Sequence, residues 1–239
     1  MLFRSGRIVE LGEARDSYRE SIDADGLALM PGIIDNHTHY DAQLTWDPHA
    51  SPSPALGVTT AIIGNCGFTL APCRPADRDL VMRNLTQVEG MSLDVLRKGI
   101  KWDFETFAQY LAQLQRSGTA VNVAAYVGHS SLRTWVMGSQ SNQREATADE
   151  IAQMAELVRD AMHHGAVGLA SSTSPAHNGE GGLPMPSRLA SDAEHLALIK
   201  AMGEAGRGIY MVTKGGQIDR KSTRLNSSHS QQSRMPSSA

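Results

Sequence analysis

The chain has 239 residues, 41% hydrophobic and 20% charged, which is enough apolar material for one sizeable globular domain and excludes overall disorder. Its 22 Lys and Arg stand against 25 Asp and Glu, a formal charge of −3 with neither sign gathered into a block, so the basic groove of a nucleic-acid binder is missing. No apolar run suits a signal peptide or the roughly 18 residues of a membrane span, and only two cysteines occur; the expectation is a cytoplasmic protein without a membrane partner or a disulfide scaffold.

In chain order, FRSGRIVEL and YRESIDADGLALM alternate apolar and polar residues and read as antiparallel strands of a small sheet within residues 1–30. PGIIDNHTHYD sets an apolar run directly before a histidine-rich segment, as at the C-terminal end of a buried parallel strand. GVTTAIIGNCGF repeats the design, with a β-branched interior and then Gly-Asn-Cys-Gly. Residues 74–100 read as a helix followed by an irregular excursion. Phe104, Phe107, Leu111 and Leu114 then line one side of a helix, with Asp103 as its N-cap and Gly118 past its end.

AVNVAAYVG is the third strand of the parallel series. Thr147 and Glu150 form a capping-box signature before Ile151, Met154, Val158 and Ala161, which predicts a long amphipathic helix. AVGLA is the fourth strand. Ser191 and Glu194 repeat the capping box before Leu198, Ile199 and Met202, and GIYMVT is the fifth strand.

Alternating strands and helices imply an α/β fold with a mostly parallel sheet, open or closed into a barrel. A complete (β/α)8 barrel needs about 250 residues, more than residues 31–219 supply with their five β units. Residues 220–239 break the composition. The stretch KSTRLNSSHSQQSRMPSSA holds seven serines and no periodicity, and reads as a disordered or non-native tail in which His229 carries no function.

The chemistry concentrates in two loops. His37 and His39 are one residue apart, so on an extended backbone both imidazoles project to the same side and can grip one divalent ion. Histidines near a core are also commonly just hydrogen-bonded polar residues. Asp35 and Asp41 flank the pair and either orient the ligand rings or are ordinary loop residues. Cys66 ends the neighbouring strand, where a thiolate beside two imidazoles makes a donor set suited to Zn2+; a small buried hydrophobe is the plainer alternative, and the preferred one for Cys73.

His129, Arg133 and Ser172 follow the third and fourth strands and are the candidate substrate contacts, with Ser171 and Thr173 beside Ser172. A structural hydrogen bond serves His129 equally well, and most arginines are surface residues. No base is evident beside these serines, so a serine-hydrolase triad is rejected. His163 and His164 fall at a helix C-terminus, where the dipole explains them, and His177 with GEGG reads as a mobile loop.

The stretch PGIIDNHTHYDAQLTWDP followed by GVTTAIIGNCGFTLAPCRP closely resembles the amidohydrolase group that contains the N-acyl-D-amino-acid deacylases. GIKWDFETFAQYL, NVAAYVGHSSLRTWVMG, REATADE and AVGLASS resemble it too, so the likeness covers most of residues 20–213. The resemblance implies a partial (β/α)8 TIM-like barrel of a metal-dependent hydrolase, with residues 1–30 contributing to a small composite β-sandwich.

It further implies that His37, His39 and Cys66 are metal ligands, with Zn2+ as cofactor and a small-molecule N-acyl-D-amino acid as substrate. Many relatives carry a modified lysine on strand four; AVGLASS has none, which agrees with the deacylase group and weighs against a dihydropyrimidinase-like or urease-related cyclic-amide hydrolase. Relatives take further histidines from strands five and six and a catalytic aspartate from strand eight, and none is assignable in GIYMVTKGGQIDR. The chain is therefore expected to be the first part of a catalytic barrel, without useful turnover by itself. A non-catalytic metal-binding or scaffold protein is the alternative from another class. Nothing in the sequence sets an oligomeric state.

Overall fold

The computed structural model describes residues 2–4, 7–12 and 17–214. The serine-rich stretch 220–239, including His229, lies outside the described residues. The chain divides into two units, Met1–Pro31 and Gly32–Ala239.

In the first unit FRSGRIVEL folds back on itself. Strand β1 (Leu2–Arg4) pairs antiparallel with β2 (Arg7–Glu10), setting Phe3 opposite Ile8 and Arg4 opposite Arg7. The second expected strand, YRESIDADGLALM, is absent among the described residues. A turn takes its place: the Asp23 carboxylate accepts from the Asp25 amide at 2.9 Å, Gly26 sits at φ +77°, and the Leu27 amide donates back to the Ala24 carbonyl. An Asx-type turn of this kind satisfies the backbone locally and overrides weak strand alternation.

The second unit is built on five parallel strands in sequential order: β3 (Ile33–Asp35), β4 (Val58–Ile63), β5 (Asn122–Gly128), β6 (Gly168–Ser172) and β7 (Ile209–Thr213). The sheet curls into an open half-barrel flanked by helices, a partial (β/α)8 barrel. Between the strands lie α1 (Arg78–Glu89), α2 (Leu93–Gly99), α3 (Phe107–Ser117), α4 (His129–Met137), α5 (Ala148–His163) and α6 (Asp192–Gly203).

Three expectations need correction. β3 is an edge strand among the described residues, not a buried one: only β4 pairs with it there, and Ile33 and Ile34 are 48% and 63% exposed. The irregular excursion before residue 100 contains a true helix, α2, because Ser92 accepts from the Val95 amide and starts it. The next helix is capped three residues after the expected Asp103. Thr106 caps α3 through the Gln109 amide while the Gln109 side chain bonds back to the Thr106 amide, a complete capping box.

The core lies between sheet and helices. Ala61, Ile63, Val127 and Leu169 from the strands meet Leu132 of α4, Met154 and Val158 of α5, and Leu198 of α6, all essentially inaccessible. Each large apolar side chain so buried contributes roughly 1.5–3 kcal/mol. This layer fixes where the strand ends point, and the two chemistry-bearing loops leave the C-terminal ends of β3 and β4. Among the described residues no helix is long and apolar enough to cross a membrane.

Candidate metal centre

The segment after β3 is tied to the neighbouring strand, because the Thr38 amide and hydroxyl both donate to the Ile62 carbonyl of β4, at 3.1 and 2.8 Å. With Thr38 turned to its neighbour strand, His37 and His39 project together, their ring centroids 5.4 Å apart and edge-on. The loop after β4 turns sharply to meet them. Gly64 at φ +81° is backed by the Tyr126 carbonyl, 2.5 Å from where a Cβ would stand, so only glycine fits. Cys66 itself takes φ +57°, a left-handed conformation that side-chain-bearing residues rarely adopt.

The result is convergence of three donors. The Cys66 Sγ lies 3.4 Å from His37 Nε2 and 3.9 Å from His39 Nε2, and Thr213 at the end of β7 donates to the sulfur at 3.1 Å. All three donor atoms fall within 4.8 Å of one another, the one such group among the described residues. A tetrahedral zinc centre with ordinary bond lengths puts nitrogen and sulfur about 3.6 Å apart, so the observed separations fit a shared ion. Burial, then His37, then His177 lower the pKa of His39 to about 4, which keeps its lone pair available at neutral pH.

The two flanking carboxylates act on backbone, not on rings. Asp35 accepts from the His37 amide at 3.2 Å. Asp41 is wholly buried, and its Oδ2 accepts from the Gly64 amide at 2.9 Å. Burial raises its pKa to about 7, with the Gly64 amide opposing. Asn65 donates from Nδ2 to the Thr38 carbonyl at 3.2 Å and the Ile62 carbonyl at 2.8 Å.

Beside the cluster, Phe68 stacks on His39 with centroids 6.4 Å apart and receives His177 edge-on at 5.0 Å. Ser172 holds that histidine by a 2.7 Å bond to Nδ1. The loop expected to be merely mobile thus brings an imidazole to the edge of the donor group. Position after strand four, next to Ser172, was the available signal.

His129 and Arg133 go elsewhere. Both are fully buried, and both bond Glu194: His129 Nε2 at 2.8 Å to one oxygen and Arg133 to the other. His129 Nδ1 meets Ser171 Oγ at 2.8 Å, and the rest of the guanidinium donates to the carbonyls of Ser141 and Arg144. Burial opposes the Glu194 charge, but the His129 and Arg133 bonds outweigh it and hold the carboxyl at about 2. Ser171 does have a histidine and a carboxylate behind it, contrary to expectation; all three are sealed from solvent, so the arrangement gives a substrate no access. His195, which the sequence reading passed over, packs edge-on against His129 and bonds Tyr210 through Nδ1 at 2.7 Å.

The fold and the donor set together give a partial (β/α)8 barrel with a candidate metal site at the ends of its strands. A model of the amidohydrolase family matches residues 20–231, and the chain belongs to that family, within its D-aminoacylase and N-acyl-D-amino-acid deacylase group. The match runs past residue 220 into the serine-rich stretch. D-aminoacylase of Alcaligenes xylosoxydans xylosoxydans is 36% identical over 87% of this chain and 38% of its own length, and N-acyl-D-aspartate deacylase of the same organism is 41% identical over 71% and 32%. A solved D-aminoacylase with a binuclear metal centre superposes with a TM-score of 0.58 at 37% identity, covering 75% of this chain and 33% of that one. N-acyl-D-glutamate deacylase of Bordetella bronchiseptica, solved with zinc and a phosphonate mimic of the tetrahedral intermediate, gives 0.57 at 29% identity, covering 76% and 33%. The chain spans about a third of the length of the curated relatives it matches.

Proposed function

We propose that His37, His39 and Cys66 hold Zn2+ and that the whole protein hydrolyses the amide bond of N-acyl-D-amino acids. The observation that carries this reading is the convergence of two imidazole nitrogens and one thiol at separations suited to a tetrahedral ion. A divalent ion so held polarises an amide carbonyl and makes water a stronger acid near neutral pH. The residues around it do the rest. His39 stays neutral, the Cys66 loop delivers sulfur against a backbone preference, and Phe68 covers the His39 ring from one side.

His177, held in place by the fully buried Ser172, forms a wall of the substrate pocket in this reading. Direct substrate contact by His129 and Arg133 would require their release from Glu194, so we assign them instead to support of the β6 end through Ser171. A deacylase is favoured over a cyclic-amide hydrolase because β6, Gly168–Ser172, carries no lysine to bridge metals. Among the described residues no carboxylate joins the donor group. The 239-residue chain is therefore proposed to bind the ion without useful turnover. A reducing, cytoplasmic location belongs to this reading, because a thiolate ligand is kept available there.

Elemental analysis of the purified chain, beside Cys66→Ala, tests the site. Bound zinc near one equivalent that falls sharply in the variant supports it; equal zinc in both sinks it. Acetate release from N-acetyl-D-amino acids, measured with and without chelator and against the L enantiomers, tests the chemistry. Robust chelator-sensitive release by this chain would overturn the statement about turnover, and a preference for L substrates would overturn the substrate class.

A further inference from the structure

We infer that Asp41 and Asn65 are positioning residues that aim the Cys66 thiol at the two imidazoles by stitching the loop after β4 onto the loop after β3. The inference rests on the metal reading above. It starts from strain: Cys66 sits at φ +57°, and such a conformation persists only where the surroundings over-determine it. Gly64 and Gly67, which bracket the Asn65–Cys66 pair, have φ of +81° and +79°, so three of the four residues of the turn lie in left-handed backbone space. A free loop of this composition has no reason to stay there.

Three bonds hold it. Asp41, two residues past His39, accepts the Gly64 amide at 2.9 Å in a fully buried site. Asn65, directly before the cysteine and itself 1% exposed, donates to the Thr38 carbonyl at 3.2 Å and to the Ile62 carbonyl at 2.8 Å. Thr38 lies between the two histidines. A single side-chain amide therefore sets the register of the cysteine against the peptide that carries both imidazoles. Tyr110 fixes the other side of the stitch by donating to the Asp41 carbonyl at 2.9 Å. In these bonds the Asp41 and Asn65 side chains reach only backbone groups, so they act through placement of the third donor.

Titration of the 239-residue chain with Co2+ tests this, because a sulfur-to-cobalt charge-transfer band in the near ultraviolet reports the thiolate specifically. Asp41→Ala and Asn65→Ala are expected to lose most of that band and to weaken Co2+ binding about tenfold or more, while circular dichroism stays helical. Asp41→Asn keeps an oxygen to accept the Gly64 amide and is expected to retain the band. Folded Asp41→Ala and Asn65→Ala chains with wild-type affinity and band intensity would overturn the inference. Should Asp41→Ala fail to fold, Asn65→Ala decides by the same two readouts. A wild-type chain with no thiolate band, or one whose band survives Cys66→Ala, overturns the metal reading itself and this inference with it.

Discussion

Ser171 and Ser172 are neighbours on β6, so strand alternation sends them to opposite faces of the sheet, and each leads to a different set of histidines. From Ser172 the path runs through His177 and Phe68 to His39 at the metal-ligand cluster. From Ser171 it runs through His129 to Glu194 and Arg133. In the second set almost every polar atom is answered by protein, the His195 Nε2 being the exception. In the first, a thiol and two imidazole nitrogens face one another on a strained loop. Saturation serves stability; converging donors serve a ligand. The same residue type does either job according to what the neighbouring strand and helix bring.

The comparison is broken most forcefully at Glu194. Glu194→Ala leaves a buried Arg133 guanidinium without its counter-charge, and removing one partner of a buried ion pair costs about 3–5 kcal/mol. That is a large share of the roughly 5–15 kcal/mol that holds a domain folded. A denaturation midpoint close to wild type would show that the cluster is not structural. Cys66→Ser is the counterpart at the other face. It should weaken zinc binding about 10-fold or more, yet leave the metal-free midpoint within about 1 kcal/mol of wild type, since serine nearly matches cysteine in size and no buried charge loses its partner. A metal-free midpoint that collapses as far as that of Glu194→Ala would erase the distinction between the two sets.

Acidification should act through the saturated set. Burial first, with His129 and Arg133 lowering and Glu194 raising, puts the His195 pKa at about 3, below its ordinary 6.5. Between those values the unfolded chain binds more protons, so stability falls as pH drops from about 6.5 toward 3. Glu194 adds to the same trend, its stabilisation being complete above 4.5 and lost as pH falls toward about 2. Among the described residues, the charged and titratable groups that face these two, besides each other, are His129, Arg133 and Tyr210, the last bonded to His195. Thermal melts across pH 3–7 check the sign. His195→Gln should flatten the upper part of the loss, and an unchanged slope would place the titration elsewhere.

Local patterns carried the sequence reading as far as local patterns reach. His37 and His39 show their common direction in their spacing, and Gly-Asn-Cys-Gly shows a turn at a strand end. The five strands of the half-barrel follow from apolar runs and caps. The bond from Asp41 to Gly64 joins residues 23 apart, and no periodicity announces it. Ile33 and Ile34 look like a buried strand because the run itself is apolar; whether a second neighbour covers it is decided by topology. His129 and Arg133 had the chemistry of substrate contacts, and only the approach of α6 shows which carboxylate they meet.

The smallest expected effect isolates that last point. Thr147 with Glu150 and Ser191 with Glu194 are the same signature, and both hydroxyls accept the expected amide, at 3.3 and 3.2 Å. Glu150 completes its box by accepting the Thr147 amide at 2.8 Å, at the rim of α5 beside Arg144. Glu194 does not; its carboxylate turns inward to His129 and Arg133. Glu150→Ala should therefore cost no more than about 1 kcal/mol, the worth of a cap and a partly exposed pair. Paired denaturation of Glu150→Ala and Glu194→Ala measures how far burial separates two glutamates that sequence treats alike. Equal losses would mean that the buried ion pair at Glu194 contributes no more than a cap and a partly exposed pair do at Glu150.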